Sequence, residues 1–358
     1  VVRRSLAILV IAVAGMVIPG AVPSGAAVLS AGEVPATNVL TTPAPAGAAT
    51  ANVAVAATVG LKVISHNICG GMCQHGTTTN LPVVANLVDA YTPHLMMFQE
   101  VCYQQFEWFG AHTFTSGRYQ MGFTAMLTNY TGCGATNCAV NEDADPSNDD
   151  RRCWIGQVMA ARGTLSGRDE ISVGGERHQI NGSAAVNPRT FRALCFDVSL
   201  PELGSRVVKG CSVHFRAFQD PAGINKRART AQATRLASDL DGDIANRKIV
   251  VVGGDFNSHA VDPAMDAFYR PETLPGGGFG MFYEADQDDD RYYGTRCSAS
   301  AAACRSGAKT LGTATKYDYI FYSETVDPAS VSALPIEVAD TVSDHDFYRG
   351  LNEVSTTA

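Results

Sequence analysis

A chain of 358 residues, 46% hydrophobic and 17% charged, carries enough apolar material for a sizeable core, in one large α/β domain or in two or three smaller ones. Its formal net charge of −8 argues against sequence-independent clinging to nucleic acid or to anionic membrane, which needs clustered Lys and Arg. A nuclease is still open, because a metal ion can supply positive charge locally.

Arg3 and Arg4 open the chain, an apolar run follows over residues 6–18, then Pro19, Gly20 and small residues at 21–27. This reads as a cleaved signal peptide over 1–27, with the mature protein secreted and left without a stable membrane anchor. The apolar run is shorter than the ~20 residues that span a bilayer as a helix. Residues 28–59, rich in Ala, Pro and Thr and almost without charge, read as a flexible linker. The folded domain is expected over 60–350, with a C-terminal tail at 351–358.

Strand-like runs are expected at 61–64, 94–98, 154–161, 191–198, 206–215, 249–252, 319–322 and 336–338. Helical stripes fall at 81–91, through Val83, Val84, Leu87 and Val88, and at 228–240, through Ala228, Ala231, Leu236 and Leu240. Many strands, few helices and mixed connections predict a layered α/β sandwich rather than a doubly wound sheet. Residues 129–152 and 270–315 read as long loops, which in a compact domain are functional or pinned by disulfides.

The chain holds 10 cysteines. An even number in an exported chain favours disulfides. Cys195 and Cys211 lie on successive strands and can pair across a hairpin; Cys297 and Cys304 would close a small loop. Cys69 and Cys73 are four apart with no matching His pair, which argues against zinc. The pairing of the other six cannot be derived from spacing.

Polar, metal-competent residues repeatedly follow the strand-like runs. His66 and Asn67 follow LKVIS, Gln99 and Glu100 follow HLMMF, and His214 follows VVKGCSV. Asp255 and Asn257 follow KIVVVGG, Asp318 opens YIFY, and Ser343, Asp344 and His345 close the last segment. Strand ends gathered on one rim make a rigid cleft. Taken singly, each has a plain structural use: a turn, a rim salt bridge, a cap. On an extended chain Asp255 and Asn257 would point to one side, and Gly253 and Gly254 would let another chain or a phosphate come close. Glu100 ends a buried run, where an ionised carboxylate is costly unless paired or on a metal.

Jointly, NICGG around Asn67, FQEVC around Glu100, VHF around His214, GGDFN at 253–257, KYDYIF around Asp318 and SDH at 343–345 resemble the deoxyribonuclease I-like endonuclease/exonuclease/phosphatase superfamily. The resemblance runs from about residue 61 to residue 350. It implies a four-layered α/β/β/α sandwich of two mixed β-sheets, with the site at one sheet rim. The implied cofactor is Mg²⁺, with Mn²⁺ or Ca²⁺ as alternatives. Glu100 is then the main carboxylate ligand, Asn67 holds the metal or the phosphate, and Asp344 completes the metal or base environment. His345 is the expected general base, oriented by Asp318. Asp255 orients or helps deprotonate the attacking water, Asn257 binds a phosphoryl oxygen, and His214 contacts the phosphate and assists the leaving group. Members often carry an Arg on the strand before the His-Phe block; Arg189 or Arg192 can serve, with Arg192 preferred for binding phosphate.

The sequence departs from the family at His66, where many members have an aromatic residue; a local packing change is expected. Arg216, Lys226, Arg227, Arg229 and Arg235 are expected on a solvated helix face, within reach of a polyanion. Asp143, Asp145, Asp149 and Asp150 resemble a Ca²⁺ loop without its Gly and Glu, and Asp286, Asp288, Asp289 and Asp290 read as a solvated loop. The expected substrate is a phosphodiester, nucleic acid first, cut by a monomeric enzyme. A sphingomyelinase-like lipid phosphodiesterase, with Met281, Phe282 and Tyr283 as its apolar contact, is the alternative, followed by a phosphomonoesterase and by a catalytically inactive binding protein.

Overall fold

The structure, a computed structural model, describes residues 57–112, 118–128, 130–134, 149–176, 179–180, 183–184, 189–217, 223–271, 278–286, 305, 307–312 and 315–357. The expected signal peptide, most of the expected linker, Cys297, Cys304, Asp143, Asp145 and the aspartates at 288–290 lie outside the described residues.

The chain enters through β1 (Thr58–Asn67), whose burial is partial at first and continuous from Val63 on, as expected where both faces become covered. Helix α1 (Leu81–Tyr91) carries Pro82 in its first turn, where the missing N–H costs nothing, and stops at Thr92 in a left-handed conformation. There follow β2 (Leu95–Cys102), α2 (Tyr103–His112), β3 (Gln120–Leu127), β4 (Ile155–Ala161), β5 (Thr164–Glu176) and a small hairpin of β6 (Gln179–Ile180) and β7 (Ser183–Ala184). Then come β8 (Arg189–Ser199), β9 (Val207–His214), α3 (Ile224–Ala245), β10 (Ile249–Asp255), β11 (Tyr283–Glu284), β12 (Asp318–Tyr322), β13 (Ser332–Ile336) and β14 (Phe347–Ser355).

Two six-stranded sheets form, in the orders β13-β14-β1-β2-β4-β3 and β11-β12-β10-β9-β8-β5. Each is mixed: β1 and β2 are parallel in the first, β9 and β10 in the second, and the remaining neighbours are antiparallel. Three apolar clusters separate four layers. Val63, Leu95, Met97 and Met159 meet Leu194, Val208, Val251 and Ile320 between the sheets. Ile64, Met96, Phe98 and Val158 pack under Leu81, Val84, Val88 and Phe109 of α1 and α2. On the far face, Val213, Val250 and Val252 pack under Ala233, Leu236 and Leu240 of α3. Each fully buried Val, Leu, Ile or Phe contributes roughly 1.5–3 kcal/mol, so the layers rest on apolar burial more than on any polar tie. The expected four-layered α/β/β/α sandwich is the observed one.

Several expected details are corrected. The tail at 351–358 is largely strand: β14 runs to Ser355, pairs with β1 from Thr58↔Ser355 to Ser65↔Tyr348, and buries Val354. The last-but-one strand is Ser332–Ile336 rather than 336–338, because its partner register is set by Ser332↔Leu351 through Ile336↔Phe347. Helix α2 and strands β3 and β5 were not foreseen. In β5 exposed polar and charged residues fill an edge strand, which hides the alternation that marks a half-buried one. Arg229 is buried rather than solvated, and its Nη1 donates to the carbonyl of Arg216. Asp286 is buried too, paired with Lys316 at 2.8 Å. Lys226 and Arg235 are exposed, as expected, and pair with Asp262 and Asp239, each at 2.8 Å.

Candidate active site

The strand register builds the site. Asp255, the last residue of β10, lies opposite His214, the last of β9, and opposite Asp318, the first of β12. Three functional side chains therefore sit abreast on one rim of the second sheet. The first sheet supplies Asn67 at the end of β1 and Glu100 near the end of β2, where the pairing with β4 slips between Phe98 and Val101. Such a bulge re-aims a side chain. Glu100 has φ 54° and Asn257 φ 48°, left-handed values that non-glycine residues seldom adopt and that cluster at functional sites.

Asp255 Oδ2 is the hub. Asn67 Nδ2 donates to it at 3.2 Å and lies 3.3 Å from Glu100 Oε1. His214 Nε2 is 3.5 Å from Asp255 Oδ2 and 3.8 Å from Glu100 Oε1. His345 Nε2 approaches the same Asp255 oxygen at 3.7 Å, while its Nδ1 is 2.7 Å from Asp318 Oδ2. Asp318 is fixed by its own N–H, which donates to Thr310 Oγ1 at 2.9 Å. His345 is fixed by its N–H on Ser343 Oγ at 3.0 Å, and that hydroxyl donates to Asn67 O at 2.6 Å. The Gly-Gly before Asp255 serves packing: a Cβ on Gly253 would meet Met97 of the facing sheet at 2.5 Å, and one on Gly254 would strike the carbonyl of Val213.

Charge states follow from this crowding. Burial raises the pKa of Asp255, and neighbouring Asp318 adds to the rise against the pull of His345 and His214. For His345 burial opposes the charged form, yet Asp318, by charge and hydrogen bond, then Asp255 and Asp344, outweigh it and push the pKa to about 10. At neutral pH this imidazole holds its proton and donates. Asp318 holds Nδ1 as expected, and the ring turns Nε2 toward Asp255 Oδ2.

The other expected site residues fall as follows. Asn67 Oδ1 accepts the Cys69 N–H at 3.0 Å, so the amide turns its donor, not its oxygen, toward the carboxylates. The amide lies between the Glu100 and Asp255 carboxylates, beside Glu100 as expected. Asp344 is exposed, with its carboxylate within 4.8 Å of the Cys69 and Cys73 sulfurs, and its charge helps to raise the His345 pKa. Asn257 does not continue an extended strand. Its N–H donates to Asp255 Oδ1 at 2.8 Å and its Nδ2 to Phe215 O at 3.2 Å, a turn at the cleft edge. Arg192 pairs with Glu170, which also binds Arg168, beside a cavity of about 320 Å³ rather than against the cluster. His66 packs on Phe347 and hydrogen-bonds Asp346 O, a local packing role as expected. Sequence reasoning missed Thr310 and the backbone of Cys69; a lone loop Thr and a main-chain N–H leave no pattern to find.

Among the described residues disulfides join Cys69 to Cys73, Cys102 to Cys133 and Cys195 to Cys211, the last across the expected hairpin, and Cys153 is disulfide-bonded as well. Glu100 and Asp255 offer converging carboxylate oxygens, the donor set a hard divalent cation takes.

The chain gathers paired carboxylates and histidines at one rim of a two-sheet sandwich. Its sequence matches the Endonuclease/Exonuclease/phosphatase family over residues 64–345, and the chain belongs to that family. Family members include nucleases and phosphodiesterases and typically use divalent metal ions. No curated protein matches the sequence. Among solved structures, the human Nocturnin catalytic domain with bound sulfate is similar at 15% identity and TM-score 0.51, over 84% of this chain and 97% of that one. A D. rerio TDP2 humanized by 14 mutations gives 14%, 0.52, 82% and 98%. An endonuclease/exonuclease/phosphatase from Beutenbergia cavernae gives 16%, 0.50, 82% and 71%. At these identities the likeness is one of fold.

Proposed function

We propose that this chain is a secreted, divalent-metal-dependent phosphodiesterase acting on nucleic acid by direct attack of water. The observation that carries the reading is the convergence on Asp255 Oδ2 of Asn67, His214 and His345, from both sheets, with Glu100 alongside. Glu100, with Asp255 beside it, would hold Mg²⁺, or Mn²⁺ or Ca²⁺ in its place. Bound there, such an ion supplies the positive charge that an anionic diester needs at its oxygens. Asp255 Oδ2 positions the attacking water and takes its proton. His345, protonated and braced by Asp318, donates to a phosphoryl oxygen, and His214 donates toward the leaving group. Asn67 Nδ2 keeps the Glu100 and Asp255 carboxylates apart and oriented. The disulfides support an oxidising compartment. Among the described residues no helix is long and apolar enough to cross a membrane.

A lipid substrate has less support. Phe279 and Met281 are exposed, but Phe282, the centre of the expected apolar contact, is buried in the core under α3. The test is the oxidised protein on plasmid DNA, RNA, sphingomyelin vesicles and a phosphomonoester, each with Mg²⁺, Ca²⁺ or EDTA. Metal-dependent cutting of DNA or RNA is expected; turnover of sphingomyelin or of the monoester alone would overturn the nucleic-acid reading.

A further inference from the structure

The turn that leaves β1 is tied to more of the site than its length requires. Cys69, at φ 48°, donates its N–H to Asn67 Oδ1 and is bonded through sulfur to Cys73. Gly70 N–H donates to Glu100 O at 3.0 Å, and Ile68 N–H to Gln99 O at 3.0 Å. No side chain fits at Gly70, since a Cβ would run into Gln105 and stand 2.5 Å from the Glu100 carbonyl. On the other flank Gln74 Nε2 donates to Thr341 O at 2.8 Å and to Val342 O at 3.2 Å, directly before the Ser343 that holds His345. One disulfide-closed turn thus touches the residues that carry Asn67, Glu100 and His345. Cys69 is buried, whereas Cys73 faces solvent and is open to a thiol.

We propose that the Cys69–Cys73 disulfide is a positioning element of this centre: it holds the Asn67 amide between Glu100 and Asp255, and reducing it weakens the centre's hold on a divalent cation. The inference rests on the metal-site reading above, but its first readout needs no metal. With the bond intact, Cys69 is kept in a left-handed conformation that a non-glycine residue leaves when released. Once it relaxes, its N–H withdraws from Asn67 Oδ1 and the amide is free to rotate. The freed amide would no longer fix the Glu100 and Asp255 carboxylates in one arrangement. The redox step is an ordinary exchange. A dithiol attacks Cys73 Sγ, the Sγ–Sγ bond breaks, a second thiolate closes the reductant into a cyclic disulfide, and the two cysteines end as thiols.

The experiment compares full-length oxidised protein with Cys69→Ser/Cys73→Ser, and with wild type reduced by dithiothreitol until mass spectrometry shows this bond open and the others closed. The serine pair also removes the two thiols that, with Asp344, could gather a soft metal. In metal-free protein the side-chain amide resonances of Asn67, assigned with Asn67→Asp, are expected to shift in both treated forms. Titration with Mn²⁺ is expected to show about tenfold weaker binding, with melting curves still cooperative. Unchanged Asn67 resonances, or equal Mn²⁺ affinity in all forms, would overturn the proposal. Should the serine pair fail to fold, the selectively reduced wild type decides. Wild type that binds no Mn²⁺ contradicts the metal reading instead, and the Asn67 resonances then decide the positioning claim.

Discussion

Asp255 shares one carboxylate oxygen among Asn67, His214 and His345, and its neighbours decide which group holds a proton. With Asp318 against Nδ1, His345 stays cationic up to about pH 10 in the metal-free protein. Its folded pKa lies above the unfolded value of 6.5, so its contribution to stability is complete below pH 6.5 and is lost as pH rises toward 10. In EDTA the His345 ring signals should remain those of an imidazolium through pH 8, and Asp318→Asn should bring their midpoint down by more than one pH unit. A wild-type midpoint near 6.5 would return the ring to the general-base role. His94 works with the opposite sign. Burial first, then Arg162, lowers its pKa to about 4, and its Nδ1 accepts the Lys62 N–H. Between pH 6.5 and 4 the unfolded chain takes a proton that the folded one refuses, so stability falls as pH falls through that window. His94→Asn should flatten the fall by up to about 1.4 kcal/mol per pH unit in urea titrations, leaving His66, lowered likewise to about 4, to supply the rest.

Among the elements, those whose residues declare a period or end in a turn were legible. The helix at 81–91 was read from its stripe, although only Val84 and Val88 of the four expected residues are buried. The strands leading to Asn67, Glu100, His214 and Asp255 were read from apolar runs that both sheets cover. What stayed hidden has physical reasons. Strand β14 alternates as FYRGLNEVS, with Arg, Asn and Glu on a strand between two neighbours, and only pairing with β1 reveals it. Asn352 is fully buried there because its Nδ2 donates to Glu324 O, a contact invisible from either segment alone. The site residues were named from the sequence, but not the direction of the Asn67 amide or the turn at Asn257, since both depend on backbone N–H groups. The β14 assignment is tested by Val354→Ala. A buried strand position should cost roughly 1–3 kcal/mol by urea unfolding; a solvated tail would change stability by less than about 0.5 kcal/mol.

On the scale of the whole molecule, the net charge of −8 is reconciled with an anionic substrate by concentrating function at one rim. Of the expected basic track Arg229 is buried, while Lys226 and Arg235 stay exposed with part of their charge offset by Asp262 and Asp239. Opposite charge is also buried around Lys316, just before β12. Lys316 meets Asp286 at 2.8 Å, Glu284 at 3.3 Å and the Tyr348 hydroxyl at 3.1 Å, tying the ends of β11 and β12 to β14. Lys316→Met would leave two buried carboxylates without their cation and should lower stability by about 3–5 kcal/mol in urea unfolding at pH 7; a loss under 1 kcal/mol would mean the carboxylates are solvated.

We propose Asp255, framed by Glu100, Asn67, His214 and His345, as the working carboxylate of a metal-dependent phosphodiesterase. Its most direct test is the rate of plasmid nicking in Mg²⁺ by oxidised wild type and by Asp255→Asn, an isosteric change that removes the charge. Nicking that EDTA abolishes is expected, with a fall of about 10²-fold or more in the variant while its melting curve stays cooperative. A folded variant that nicks at the wild-type rate, or wild-type nicking that survives EDTA, would contradict it.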